Sequence, residues 1–264
     1  MEGSGLNNEG EPEISFFIAL LTAVRFLTII PVSWKADRDE DHFGTSIIFF
    51  PLVGLIIGCL GSVLVLIANQ FLPGTVVSFI LLIYLAAISG FLHLDGVADS
   101  GDGLLSYRPA KQSLEIMKDS RVGAMGVIVI VFLLLGKYSA LSSIPVAYLV
   151  SAALVLPVGG RLAILLTMTL FPYGRREGGL GGLFYSPMSR IGTYSGAGLL
   201  FLTAITIYGF LTALVLTGVV IGTVLLFGLF CMKRLGGVTG DTLGAVSELT
   251  EFCLAMVLCS TYLS

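Results

Sequence analysis

The chain has 264 residues, 56% of them hydrophobic and only 12% charged, with a formal net charge of −3. A soluble domain carries about twice that charged fraction. A folded surface of this size needs more polar cover than this, so the composition excludes a water-soluble fold and specifies an integral membrane protein. With 14 Lys and Arg against 17 Asp and Glu, no polyanion-binding surface and no nucleic-acid partner are expected.

Residues 1–13 form an acidic tail with four Glu and no Lys or Arg, which does not match a cleavable signal peptide. Residues 14–264 read as a single transmembrane catalytic domain, without repeats or low-complexity tracts. About 20 apolar residues are needed to cross ~30 Å of hydrocarbon as a helix. Runs of that kind lie near 14–34, 46–69, 75–92, 123–141, 145–171, 195–216, 218–232 and 246–263. They are continuous rather than alternating, which favours helices over a β-barrel. The expected fold is an all-α polytopic helical bundle of about eight transmembrane helices, with seven as the alternative. Gly54 and Gly58 sit at helix-packing spacing. Cys59, Cys231, Cys253 and Cys259 all fall inside apolar runs, which suits packing rather than a disulfide framework.

Eight alternating spans place the four long polar loops, near 35–45, 93–122, 172–194 and 233–245, on one side. That side holds 11 of the 14 basic residues; the opposite side holds none, and Arg25, Lys137 and Arg161 lie within spans. The positive-inside rule then makes these loops cytoplasmic, in a multi-pass plasma (inner) membrane protein. A seven-span arrangement is expected to split the loops and lose this asymmetry.

The chemistry concentrates in residues 90–126. Asp95, Asp99 and Asp102 are spaced i, i+4, i+7, and on a helix they share one face. Three like charges beside a span repel one another and resist desolvation. Mg²⁺ resolves both problems, since it takes carboxylate oxygens and shares its shell with substrate phosphates; the plain alternative is a solvated acidic turn. Lys118 and Arg121 are one helical turn apart and suit phosphate oxygens, or simply anchor the loop. Asp119 is either a further metal ligand or the partner of Arg121. His93 points elsewhere on the same helix, as a general base, a metal-shell residue or a structural hydrogen-bond donor. In 171–184, Arg175 and Arg176 precede Gly178, Gly179, Gly181 and Gly182, a combination that suits a pyrophosphate or a flexible turn. Thr239, Asp241 and Thr242 either complete a metal shell or cap the last helix.

Carboxylates for Mg²⁺, cations for phosphates and glycine-rich turns on one membrane face together read as phosphoryl-type transfer from a pyrophosphate donor. The Asp-Gly-x-x-Asp pattern loosely resembles the CDP-alcohol phosphotransferases, which act on a lipid acceptor. It lacks their Ala-Arg pair after Asp-Gly, and it offers Asp102 in place of their later Asp pair. A cation-coupled transporter is the more distant alternative, disfavoured because the acids gather at a membrane rim rather than the midplane.

HLDGVADSGDGLL followed by EIMKDSRVGAMGV resembles the signature of the adenosylcobinamide-GDP ribazoletransferase (cobalamin 5′-phosphate synthase) family. RFLTIIPV at 25–32, FFPLVGLIIG at 49–58, REGGLGGLF at 176–184 and GGVTGDTLGA at 236–245 follow in the family's order. The resemblance implies a Mg²⁺-dependent membrane enzyme joining adenosylcobinamide-GDP to α-ribazole, or its 5′-phosphate, with release of GMP. It implies Mg²⁺ on Asp95, Asp99 and Asp102, joined by Asp241, and diphosphate contacts from Lys118, Arg121 and Arg176. Asp119, His93 or a metal-shell Asp would serve as base. The partners expected are these small molecules and the lipid bilayer, with a homo-oligomer left open.

Overall fold

The computed structural model describes residues 11–32, 42–174, 182 and 184–261. Its helices are α1 (Glu11–Leu27), α2 (Phe43–Ser46), α3 (Phe50–Ala68), α4 (Gly74–Ala87), α5 (Leu92–Leu105), α6 (Ala110–Ile116), α7 (Ala124–Ser143), α8 (Val146–Leu170), α9 (Met188–Tyr208), α10 (Phe210–Leu235) and α11 (Gly240–Thr261). A 3₁₀ turn, Ile47–Phe49, joins α2 to α3. The polytopic helical bundle expected from composition is thus the observed fold.

The span count differs from eight. Among the described residues six helices are long and apolar enough to cross a membrane, and taking α4 and α5, bent by 81°, as one further span gives the seven held as the alternative. The missing span is the first. The apolar part of α1, Phe16–Leu27, is only about 18 Å long at 1.5 Å per residue. Its start packs Phe16 on Phe49, and its end packs Phe26 on Phe50 and Phe184. Both ends therefore touch one end of the bundle, and α1 lies across it. The charge asymmetry survives, because removing the first span moves no later loop.

Two other boundaries shift for local reasons. The break between the sixth and seventh apolar runs falls at Gly209, not near 217, because Gly209 adopts φ +86, a backbone state open to glycine. The run 75–92 breaks after Ala87, where Gly90 (φ +61) and Phe91 (φ +62) both turn left-handed.

At the centre is α8, 78% buried over its apolar window against 22% for α9. It crosses α3 antiparallel at backbone contact. A Cβ on Gly54 would lie 2.7 Å from the Pro157 carbonyl oxygen, and one on Gly58 would lie 2.5 Å from that of Leu154. One turn further on, Ser62 Oγ donates to the Val150 carbonyl at 2.8 Å. The packing role expected of Gly54 and Gly58 is realised here: without side chains they let dispersion contacts form between backbones. Large apolar residues such as Phe132, Leu202 and Leu226 point outward, as a bilayer-facing surface requires.

The polar connections converge on one end. Ile29 N–H donates to Ile88 O at 2.8 Å, Tyr173 bridges to Val238, and Arg234 Nε donates to Leu104 O at 3.1 Å. At the other end are the short turns, where Gly74 lies against Val146.

Candidate active site

At the loop end a cavity of about 230 Å³ opens between α5, α8 and α11. Its walls include His93, Asp95, Gly96, Ile164, Met168, Phe184, Gly240 and Asp241. The sequence builds it through glycine. A Cβ on Gly96 would lie 2.5 Å from the Asp241 carbonyl oxygen, and one on Gly244 would lie 3.1 Å from His93 Cα. With hydrogen at both positions, α5 and α11 approach closely enough to place Asp95 and Asp241 on one cavity wall.

Both acids occupy the first turn of their helices. A helix N-terminus carries about half a positive charge, so two such ends at one cavity favour anionic groups there. The cap of α11 is Thr239 rather than Asp241. Thr239 N–H donates to Thr242 Oγ1 at 2.7 Å, and Thr242 N–H donates to Thr239 Oγ1 at 3.3 Å, a reciprocal pair of capping bonds. Thr239 Oγ1 also donates to Asp241 Oδ2 at 3.3 Å.

Residues 92–105 are helical, so Asp95, Asp99 and Asp102 do share a face. Their surroundings nevertheless differ. Asp95 is exposed on the cavity wall, while Asp99 is half-buried one turn on, away from that wall. Asp102 accepts from Gly123 N–H at 2.7 Å and Gly126 N–H at 2.9 Å. It thereby caps α7 from across the loop, and a Cβ on either glycine would strike its carboxylate. Among the described residues no three His, Cys, Asp or Glu side chains converge to hold one metal ion.

The cationic loop is arranged differently. Asp119 accepts from Arg121 at Nε (3.0 Å) and Nη2 (2.6 Å), with the Arg121 backbone N–H adding a bond at 3.0 Å. Of the two roles expected for Asp119, the structure shows the pairing with Arg121. That hydrogen bonding holds its carboxyl down at about 2, so it is a weak base near neutral pH. Lys118 and Arg121 are exposed and do not line the cavity. Arg176, Gly178 and Gly179 lie outside the described residues. His93 is buried and lines the cavity, and its Nε2 is enclosed without a partner among the described residues.

Two features went unnoticed in the sequence. One is the apolar wall of Phe26, Phe50 and Phe184, whose Phe26 and Phe184 rings are 4.2 Å apart. The other is a sealed charge cluster below the cavity. Lys137 Nζ donates to Glu248 Oε2 at 2.8 Å and Glu251 Oε2 at 2.6 Å, and Arg161 Nη1 donates to Glu251 Oε1 at 2.9 Å. The signal was available: Glu248 and Glu251 stand at i, i+3 inside an apolar run, where ionisable residues need partners.

The family model described as cobalamin-5-phosphate synthase matches residues 19–259 of this chain. The chain is 35% identical over 244 residues to the adenosylcobinamide-GDP ribazoletransferase of Clostridium novyi (strain NT), covering 91% of this chain and 96% of that one. It is 37% identical over 236 residues to the protein of the same name from Desulforamulus reducens, covering 89% and 93% respectively. The Acetivibrio thermocellus protein of that name is 35% identical over 232 residues, 88% of this chain and 93% of its own. No solved structure matches the chain.

Proposed function

The chain belongs to the cobalamin-5-phosphate synthase family, and we propose that the cavity walled by Asp95 and Asp241 is where its reaction takes place. The protein is a membrane transferase that joins adenosylcobinamide-GDP to α-ribazole or its 5′-phosphate, yielding adenosylcobalamin or its 5′-phosphate together with GMP. The observation that carries the assignment to this cavity is the convergence there of two carboxylates and two helix N-termini.

The donor set fits Mg²⁺. This ion needs only one or two protein carboxylates when substrate phosphates and water fill the remaining positions. Asp95 and Asp241 would hold it, with Asp99 one turn away. Asp102, whose two oxygens already bind amides of α7, acts as a positioning residue. Mg²⁺ bound here would neutralise charge on the diphosphate. The N-termini of α5 and α11 add fixed positive potential on the same side. The ribose 3′-hydroxyl oxygen forms a bond to the phosphorus that carries cobinamide, and the bond from that phosphorus to the GMP oxygen breaks. His93, which lines the cavity, or one of the cavity carboxylates would take the hydroxyl proton, a role for which the tightly paired Asp119 is less suited. Lys118, Arg121 and Arg176 would meet the outer phosphate and nucleotide from the loops. Gly178, Gly179 and Thr239 would supply backbone and hydroxyl contacts.

The lipid-acceptor alternative calls for a reaction groove open sideways to the bilayer. A lateral groove of about 520 Å³ exists between α4, α5 and α7, but among the described residues its lining, from Phe79 to Tyr138, contains no charged side chain. The transporter alternative is weakened because the mid-bundle charges are paired and sealed, each 3% exposed or less.

Purified protein supplied with adenosylcobinamide-GDP, α-ribazole and Mg²⁺ is expected to form a cobalamin product with one GMP released per product. Absence of product under all Mg²⁺ concentrations would remove this assignment. The loop end is proposed to face the cytoplasm across the plasma membrane, in keeping with its basic residues. In intact cells Ala110→Cys is then expected to resist a membrane-impermeant thiol reagent and to react after lysis. Labelling of intact cells would reverse the orientation.

A further inference from the structure

We propose that the buried charges of α7, α8 and α11 form a register lock that holds Asp241 opposite Asp95, making Lys137, Glu248, Glu251 and Arg161 positioning residues for the reaction. The inference rests on the reading of the cavity as the site of transfer.

The contacts that bring α11 into place are small. Gly96 lies under the Asp241 backbone, Gly244 under His93, and Gly160 against Ser247 and Glu251. Such contacts permit close approach but supply no directional bond between the helices. Directional bonds come from the charge cluster. Lys137 of α7 binds both glutamates of α11, and Glu251 also binds Arg161 of α8. Moving α11 by one turn, about 5.4 Å, would break all three bonds. Buried polar groups that fix register at a cost in stability are well attested in helical assemblies.

A second observation separates this cluster from simple stabilisation. Arg161 Nε and Nη2, Ser247 Oγ and Thr250 Oγ1 are all buried without a hydrogen-bond partner among the described residues. Each such group costs stability, so an apolar cluster of similar volume would hold the helices together more strongly. What the charges add to the apolar packing is a set of directional bonds that are satisfied together at one axial position. Asp241 lies seven residues from Glu248, two turns or about 10 Å along the same face of α11. Asp102 closes the frame by tying α5 to the start of α7. Each pair among α5, α7 and α11 is thereby joined, and the carboxylates of the cavity sit at one corner.

The test uses the full-length protein in lipid nanodiscs, with kcat, KM and thermal midpoint measured together. Lys137→Met leaves two glutamates against one arginine. It is expected to lower both the thermal midpoint and kcat, the latter by about tenfold to a hundredfold, as a ~1 Å misplacement does. Lys137→Met combined with Glu248→Gln leaves the Arg161–Glu251 pair balanced. Its thermal midpoint is expected to recover while kcat stays low and KM stays near wild type. Lys137→Arg, which keeps the charge, is expected to restore kcat. Recovery of kcat in step with stability in the double variant would make the cluster structural only and overturn the inference. Should Lys137→Met fail to fold, the double variant and Lys137→Arg decide the matter alone. Inactive wild-type protein would instead overturn the reading of the cavity.

Discussion

Asp95→Asn is expected to reduce Mg²⁺-dependent GMP release by about three orders of magnitude while the protein still inserts and folds. At about 1.4 kcal/mol per tenfold, this is a loss of about 4 kcal/mol of transition-state stabilisation. The separation of effects follows from location. The Asp95 side chain is exposed on the cavity wall, so Asn fills its space and removes only charge. Single-turnover assays over a range of Mg²⁺ concentration measure the result. Wild-type rates at limiting Mg²⁺ would sink the role given to this carboxylate.

Glu251→Ala should have the largest effect on stability. This side chain is 2% exposed and accepts from both Lys137 and Arg161. Its removal leaves Arg161 buried without the carboxylate it donates to, and breaking a buried pair in this way costs about 3–5 kcal/mol. Unfolding in mixed micelles would report the loss. A change below about 1 kcal/mol, the range of solvent-exposed pairs, would mean that water reaches the cluster.

Much of the architecture was legible because the bilayer enforces it. Continuous apolar runs must be helices, and the basic residues sort to one end whichever way the first run is taken. The α5 helix with its three aspartates was legible too, since i, i+4, i+7 spacing has meaning only on a helix. What could not be read was the partner of each side chain. Asp102 looks like Asp95 in a sequence, yet the amides of Gly123 and Gly126 claim it. Asp241 matches a capping residue, yet Thr239 performs that task. The orientation of α1 was hidden for a different reason. Hydropathy measures whether a segment avoids water, not whether it lies along a membrane face or through it. The glutamates of α11 carry a weaker signal, since they lie inside an apolar run rather than in a polar loop, although acids in such a run need partners.

The sharp turn at Gly90 and Phe91 bears on where soluble substrates meet this protein. The helix before it, α4, has 14 residues and reaches about 21 Å, well short of the ~30 Å of a hydrocarbon core. On this flank the transmembrane wall therefore ends early, and His93 and Asp95 begin where lipid tails would otherwise continue. A bilayer adapts to such a shortfall by thinning locally. The proposed site is thus expected to lie in a dip of the membrane surface, where soluble substrates reach it from the aqueous side.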